Sequence, residues 1–110
     1  MSIYIKTIKY EKLSQMNIEV LFELASARAG GFKVARFDID IDKEIPERTQ
    51  KLLKTLARIL RGAKKRSAIQ FFVTEDGFLN STTESNYLLN VYPEIEEHIP
   101  TDRGFIFVKL

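Results

Sequence analysis

Residues 46–65, PERTQKLLKTLARILRGAKK, carry two faces that demand different surroundings. Leu52, Leu53, Leu56, Ile59, Leu60 and Ala63 recur at spacings of three and four, which on a 3.6-residue period forms one continuous apolar stripe. Lys51, Lys54, Arg58, Arg61 and Lys65 step by three, four, three and four, and at ~100° per residue they fall opposite that stripe. Pro46 suits the first turn, where its missing N–H is not needed. A helix of this kind must lay its leucines on another apolar surface while its cations stay in water. The rest of the chain has to supply that surface.

Four segments have the composition to do so. IYIKTIKY (3–10) is rich in β-branched and aromatic residues and predicts a strand. FKVARFDIDID (32–42) alternates, with Phe37, Ile39 and Ile41 on one side and Arg36, Asp38, Asp40 and Asp42 on the other, which predicts a strand with one solvated face. AIQFFVT (68–74) is apolar enough to predict a central strand, and FIFVKL (105–110) closes the pattern as a final strand. Leu13, Met16, Val20, Leu21 and Leu24 predict a helix between the first two strands, with Ser14 or Asn17 as its cap and Gly30-Gly31 as its stop. Asp76-Gly77 predicts a tight turn with FLN pairing back as a short hairpin. Ser81 to Glu84 has capping-box spacing and predicts a helix with Leu88, Val91 and Tyr92 inward, ended by Pro93 and the acidic PEIEEHI.

The order is therefore βαβαβ(β)αβ. Strands alternating with helices place the chain in the α/β (α+β) class, as a single-domain, two-layer sandwich over 1–110 with a mixed β-sheet. If the hairpin forms, 32–110 by itself follows a ferredoxin-like plan. A length of 110 residues, 45% hydrophobic and 29% charged, fits one folded domain and argues against a disordered chain. The absence of cysteine excludes disulfides, thiolate zinc sites and a cysteine nucleophile, and suits a cytoplasmic setting. The N-terminal residues lack the apolar core of a signal peptide, and no apolar run reaches the ~18 residues of a membrane helix.

A net charge of +2 is too small to indicate a polyanion partner, so the argument rests on where the charges sit. Within the 46–65 helix only Glu47 offers an i,i+4 partner, to Lys51, and Arg48, Lys64 and Arg66 extend the basic character. The expected function is a small non-enzymatic binding or regulatory module. Lys51, Lys54, Arg58, Arg61 and Lys65 form its site for nucleic acid or another polyanion, such as an acidic protein or an anionic membrane surface. The alternative is a protein-interaction or self-association module that uses an exposed sheet edge or the acidic Asp38/Asp40/Asp42 face. A metal-dependent hydrolase built on that ladder, with Glu44 beyond it, ranks third, because hydrolytic metal sites recruit ligands from several elements. His98 has no nucleophile placed beside it, the STTES hydroxyls (81–85) are explained by capping, and neither glycine pair has phosphate-loop spacing. No catalytic residue, metal site or cofactor is expected. If Glu94, Glu96 and Glu97 covered the basic face, the leading reading would lose its surface.

RGFIFVKL (103–110) also resembles the octamer of RNA-recognition domains, and IYIKTI (3–8) resembles their hexamer. That resemblance implies Tyr4, Phe105 and Phe107 as base-stacking platforms and Arg103 as a phosphate contact. The interval between the motifs, with two further helical patterns inside it, does not match the order of that family. Phe105 and Phe107 on one face and Ile106 and Val108 on the other predict a strand covered on both sides. Such a strand belongs to a core.

Overall fold

The structure is a computed structural model that describes residues 2–8, 13–39 and 45–110. Strands β1 (Tyr4–Ile8), β2 (Val34–Ile39), β3 (Phe71–Thr74) and β4 (Gly104–Lys109) form a mixed sheet in the order β1-β2-β4-β3. β1 runs parallel to β2, with Tyr4 opposite Ala35 and Ile8 opposite Ile39. β4 is antiparallel to both its neighbours, pairing Val34 with Lys109 on one side and Phe71 with Lys109 on the other. Helices α1 (Leu13–Ala29), α2 (Pro46–Lys65), α3 (Glu75–Leu79) and α4 (Thr83–Val91), with a 3₁₀ helix at Pro93–His98, complete the α/β fold.

The alternation of side chains along the strands divides the core in two. Ile8, Ala35, Phe37, Ile39, Ile106 and Val108 meet Met16, Val20, Leu24 and Ala27 of α1 and Leu52, Leu56, Leu60 and Ala63 of α2. On the other face Val34, Val73, Phe105 and Phe107 meet Leu88 of α4 and Ile95 of the 3₁₀ helix, with Phe78 of α3 packed against them. All six residues of β4 are buried. Phe105 and Phe107 stack edge-on to one another, their centroids 5.7 Å apart, and Phe78 lies 5.5 Å from Phe107. The aromatic residues of the octamer are thus core side chains with no face free for a base. Tyr4, the third expected platform, is half-buried and packs edge-on against Phe32.

Three helices end in the same way. After α1, Phe32 N–H bonds the Ala27 carbonyl and Gly31 N–H bonds that of Arg28, with Gly31 in the left-handed region (φ +78°). The pairs Ala68→Ala63 with Ser67→Lys64, and Thr82→Gly77 with Ser81→Phe78, repeat this pattern after α2 and α3. There the left-handed position holds Ser67 (φ 61°) and Ser81 (φ 49°) instead of glycine.

Several expectations are corrected by the tertiary arrangement. The apolar run 68–74 yields an edge strand of only four residues, because β4 takes the central place between it and β2. Asp76-Gly77 makes no hairpin. Thr74 accepts a hydrogen bond from Gly77 N–H and caps α3 over those residues, so the ferredoxin-like plan is not adopted. The cap of α4 is Thr82, which accepts from Ser85 N–H, one residue past the expected Ser81; Val91 faces solvent. Ser14 and Asn17 fall within the bounds of α1 rather than ahead of it.

The outer face of β2 is not solvated. Asp38 is 1% exposed and receives both Arg36 Nε (2.7 Å) and Arg36 Nη2 (2.8 Å), while Arg36 Nη1 donates to the His98 carbonyl at 2.7 Å. Burial of the carboxylate is tolerated because a bidentate guanidinium neutralises it, and the same guanidinium ties the sheet to the 3₁₀ helix. Asp40, Ile41, Asp42 and Glu44 fall outside the described residues.

Asp38→Asn would leave the half-buried Arg36 guanidinium against a neutral amide, and urea denaturation should show a loss of about 1.5–3 kcal/mol. Ser67→Gly removes the strain of a left-handed serine and should raise stability by up to about 1 kcal/mol in the same assay. Tyr4 donates its hydroxyl to the Glu23 carboxylate, and this bond, with burial and the negative charge beside it, raises the phenol above its usual value of 10.0. The folded state therefore holds this proton more tightly than the unfolded chain. The resulting stabilisation is complete below about pH 10 and fades as pH rises through the raised value. Tyr4→Phe should lose less stability than the wild type between neutral pH and pH values above that point, as read by denaturant midpoints.

Candidate functional site

The basic stripe is positioned by the opposite face of its own helix. Leu52, Leu56, Leu60 and Ala63 are fixed in the core, so Lys51, Lys54, Arg58, Arg61 and Lys65 must project away from the sheet, and all five are exposed. Fourteen residues separate the first cation from the last, about 21 Å along the axis. None of the five makes an ion pair among the described residues. The acidic 3₁₀ helix packs on the opposite sheet face, against the second core, so Glu94, Glu96 and Glu97 do not cover the stripe. Among the described residues, the field over α2 is that of a row of unpaired positive charges.

Asp38 is withdrawn from the acidic ladder, bound by Arg36 and approached by Arg103 Nη1 at 3.7 Å. Among the described residues no three His, Cys, Asp or Glu side chains cluster as metal ligands. Arg103 is hydrogen-bonded to Asp102 through Nε (3.0 Å) and Nη2 (3.1 Å), and this contact holds the Asp102 carboxyl below its usual range. His98 contributes its carbonyl oxygen to the fold, as the acceptor for Arg36.

The strand periodicities gave no sign of a cavity of about 300 Å³ between α2 and the β3–α3 junction, lined by Gln50, Leu53, Lys54, Thr74, Glu75 and Asp76 together with Phe105 and Ile106. Its walls come from three segments brought together only by the insertion of β4. A shallower hollow of about 190 Å³ adjoins it, between Pro46, Thr49 and Gly104. Lys54 belongs to both the cavity wall and the basic stripe. The cavity holds no histidine and no activated hydroxyl, since Thr74 is engaged in capping α3. Among the described residues that line it, no nucleophile stands beside a base.

Comparison of the chain with protein-family models, curated proteins and solved structures gave no match in any of the three. Among the described residues no helix is long and apolar enough to cross a membrane.

Because the stripe is exposed and unpaired among the described residues, reversing two of its charges should leave the fold intact. The variant Arg58→Glu/Arg61→Glu should keep its denaturation midpoint within about 1 kcal/mol of the wild type. A larger loss would mean that these arginines support the structure.

Proposed function

We propose that the protein is a non-enzymatic binding module whose α2 face docks a polyanion, with nucleic acid as the leading ligand. The observation that carries this reading is the row of five exposed cations, unpaired among the described residues, on a helix held rigid by its buried side. Pre-organised cations spaced along about 21 Å suit the regular charge of a phosphodiester backbone, which rewards contact by releasing counterions. The exposed face of α2 carries no aromatic residue, so this surface follows phosphates without reading bases.

Fluorescence anisotropy with labelled duplex DNA and RNA tests the reading. Binding should weaken steeply with salt, and five phosphate contacts set a ceiling of about −4.5 on the slope of log K against log[salt]. Arg58→Glu/Arg61→Glu should cost at least about tenfold in affinity and flatten that slope by about two. No binding at low ionic strength would overturn the proposal.

A second reading is self-association through β1, which forms one edge of the sheet and exposes Ile5. Light scattering coupled to size exclusion would show a dimer under that reading. The version that relied on the acidic strand face is weakened, because its first carboxylate is buried on Arg36.

A further inference from the structure

Helix α1 lies beside α2 on the same sheet face and is apolar on its outer side as well as its inner one. Met16, Val20, Leu24 and Ala27 are buried. On the opposite side, at ~100° per residue, stand Ile18, Phe22, Ala25 and Ala29, all exposed. Ile18 is 72% exposed and Phe22 is 66% exposed, and they sit one turn apart. A solvated helix normally places charge there, so such an unpartnered stripe marks a contact surface.

Both outer stripes point away from the sheet, and packed helices lie 8–10 Å apart, so an apolar ridge and a basic ridge run side by side on one surface. A ligand that engages both ridges has to be anionic and apolar at once. A nucleic-acid backbone would satisfy α2 but leave Ile18 and Phe22 in water. A second copy of the chain would bring its own five cations against the first five. The boundary of an anionic bilayer supplies acidic headgroups and acyl chains together.

We propose that the α1–α2 face is a peripheral docking surface for anionic lipid bilayers. Phe22 and Ile18 enter the headgroup–acyl boundary, and Lys51, Lys54, Arg58, Arg61 and Lys65 engage the lipid phosphates and carboxylates. The proposal rests on the polyanion reading of α2 but adds a requirement, the α1 stripe, that nucleic acid does not impose.

The test uses vesicles of phosphatidylcholine, alone or with roughly a third phosphatidylserine. The chain has no tryptophan, so Phe22→Trp introduces a single indole reporter. Its emission should shift to the blue with the anionic vesicles and not with the neutral ones. In co-sedimentation Ile18→Ser/Phe22→Ser should lower partitioning by about tenfold or more, while duplex DNA affinity stays within about twofold. These side chains are mostly outside the core, so the variant should fold, and its melting curve serves as the control.

Equal sedimentation of wild type and Ile18→Ser/Phe22→Ser would overturn the proposal, since the cations would then act without α1. Failure of the wild type to bind anionic vesicles while it binds DNA would overturn it and spare the polyanion reading. Failure to bind either ligand would remove both. A wild-type dimer that the double serine variant converts to monomer would assign the stripe to a second copy and overturn the lipid proposal.

Discussion

The antiparallel insertion of β4 between β2 and β3 is the constraint on which the other contacts depend. Its backbone completes both ladders, and its side chains feed both cores: Phe105 and Phe107 on one face, Ile106 and Val108 on the other. Without it β2 and β3 would have no common neighbour, and helices α1 and α2 would lose the middle of the surface they cover. The strand comes from the last residues of the chain and pairs with segments about 35 and 70 residues earlier. Its loop-closure entropy therefore has to be overcome before either core is complete.

A sheet covered on both faces changes the chemistry of its polar residues. Arg36 and Asp38 alternate onto the side that faces α4 and the 3₁₀ helix, where a solvated pair would have no water. They meet this by binding each other through two hydrogen bonds and by using the remaining guanidinium nitrogen on the His98 carbonyl. The five aligned cations of α2 lie instead on the outer surface of the helix layer. That layer carries cations on α2 and exposed apolar side chains on α1. The two proposals for this surface, a polyanion and a charged bilayer, differ in whether Ile18 and Phe22 take part.

Much of this was legible in the sequence where the cause is local. The α2 stripe reads directly, because 3.6-residue periodicity is a property of neighbouring residues, and every member of the basic row is exposed as that periodicity requires. The left-handed turn after α1 is also written locally, in Gly30-Gly31. Residues 75–79 misled because Asp-Gly serves a helix start as well as a hairpin, and the hydroxyl of Thr74 decided between them. The cavity beside Lys54 could not be read at all, since its walls are drawn from residues far apart in the chain. The outer stripe of α1 was present in the letters Ile18 and Phe22. Its meaning as surface emerges only once Met16, Val20 and Leu24 are seen to fill the core.

The sequence by itself determined the α/β class, the alternation of strands and helices and the two-sided character of α2, because each follows from hydrophobic periodicity over a few turns or a few strand residues. Only the tertiary structure decided which strand is central, that Asp38 is buried and neutralised, and that the acidic 3₁₀ helix lies across the sheet from the basic face. Those outcomes depend on which distant segments pair. Pairing is a competition among non-local contacts, and local pattern does not rank them.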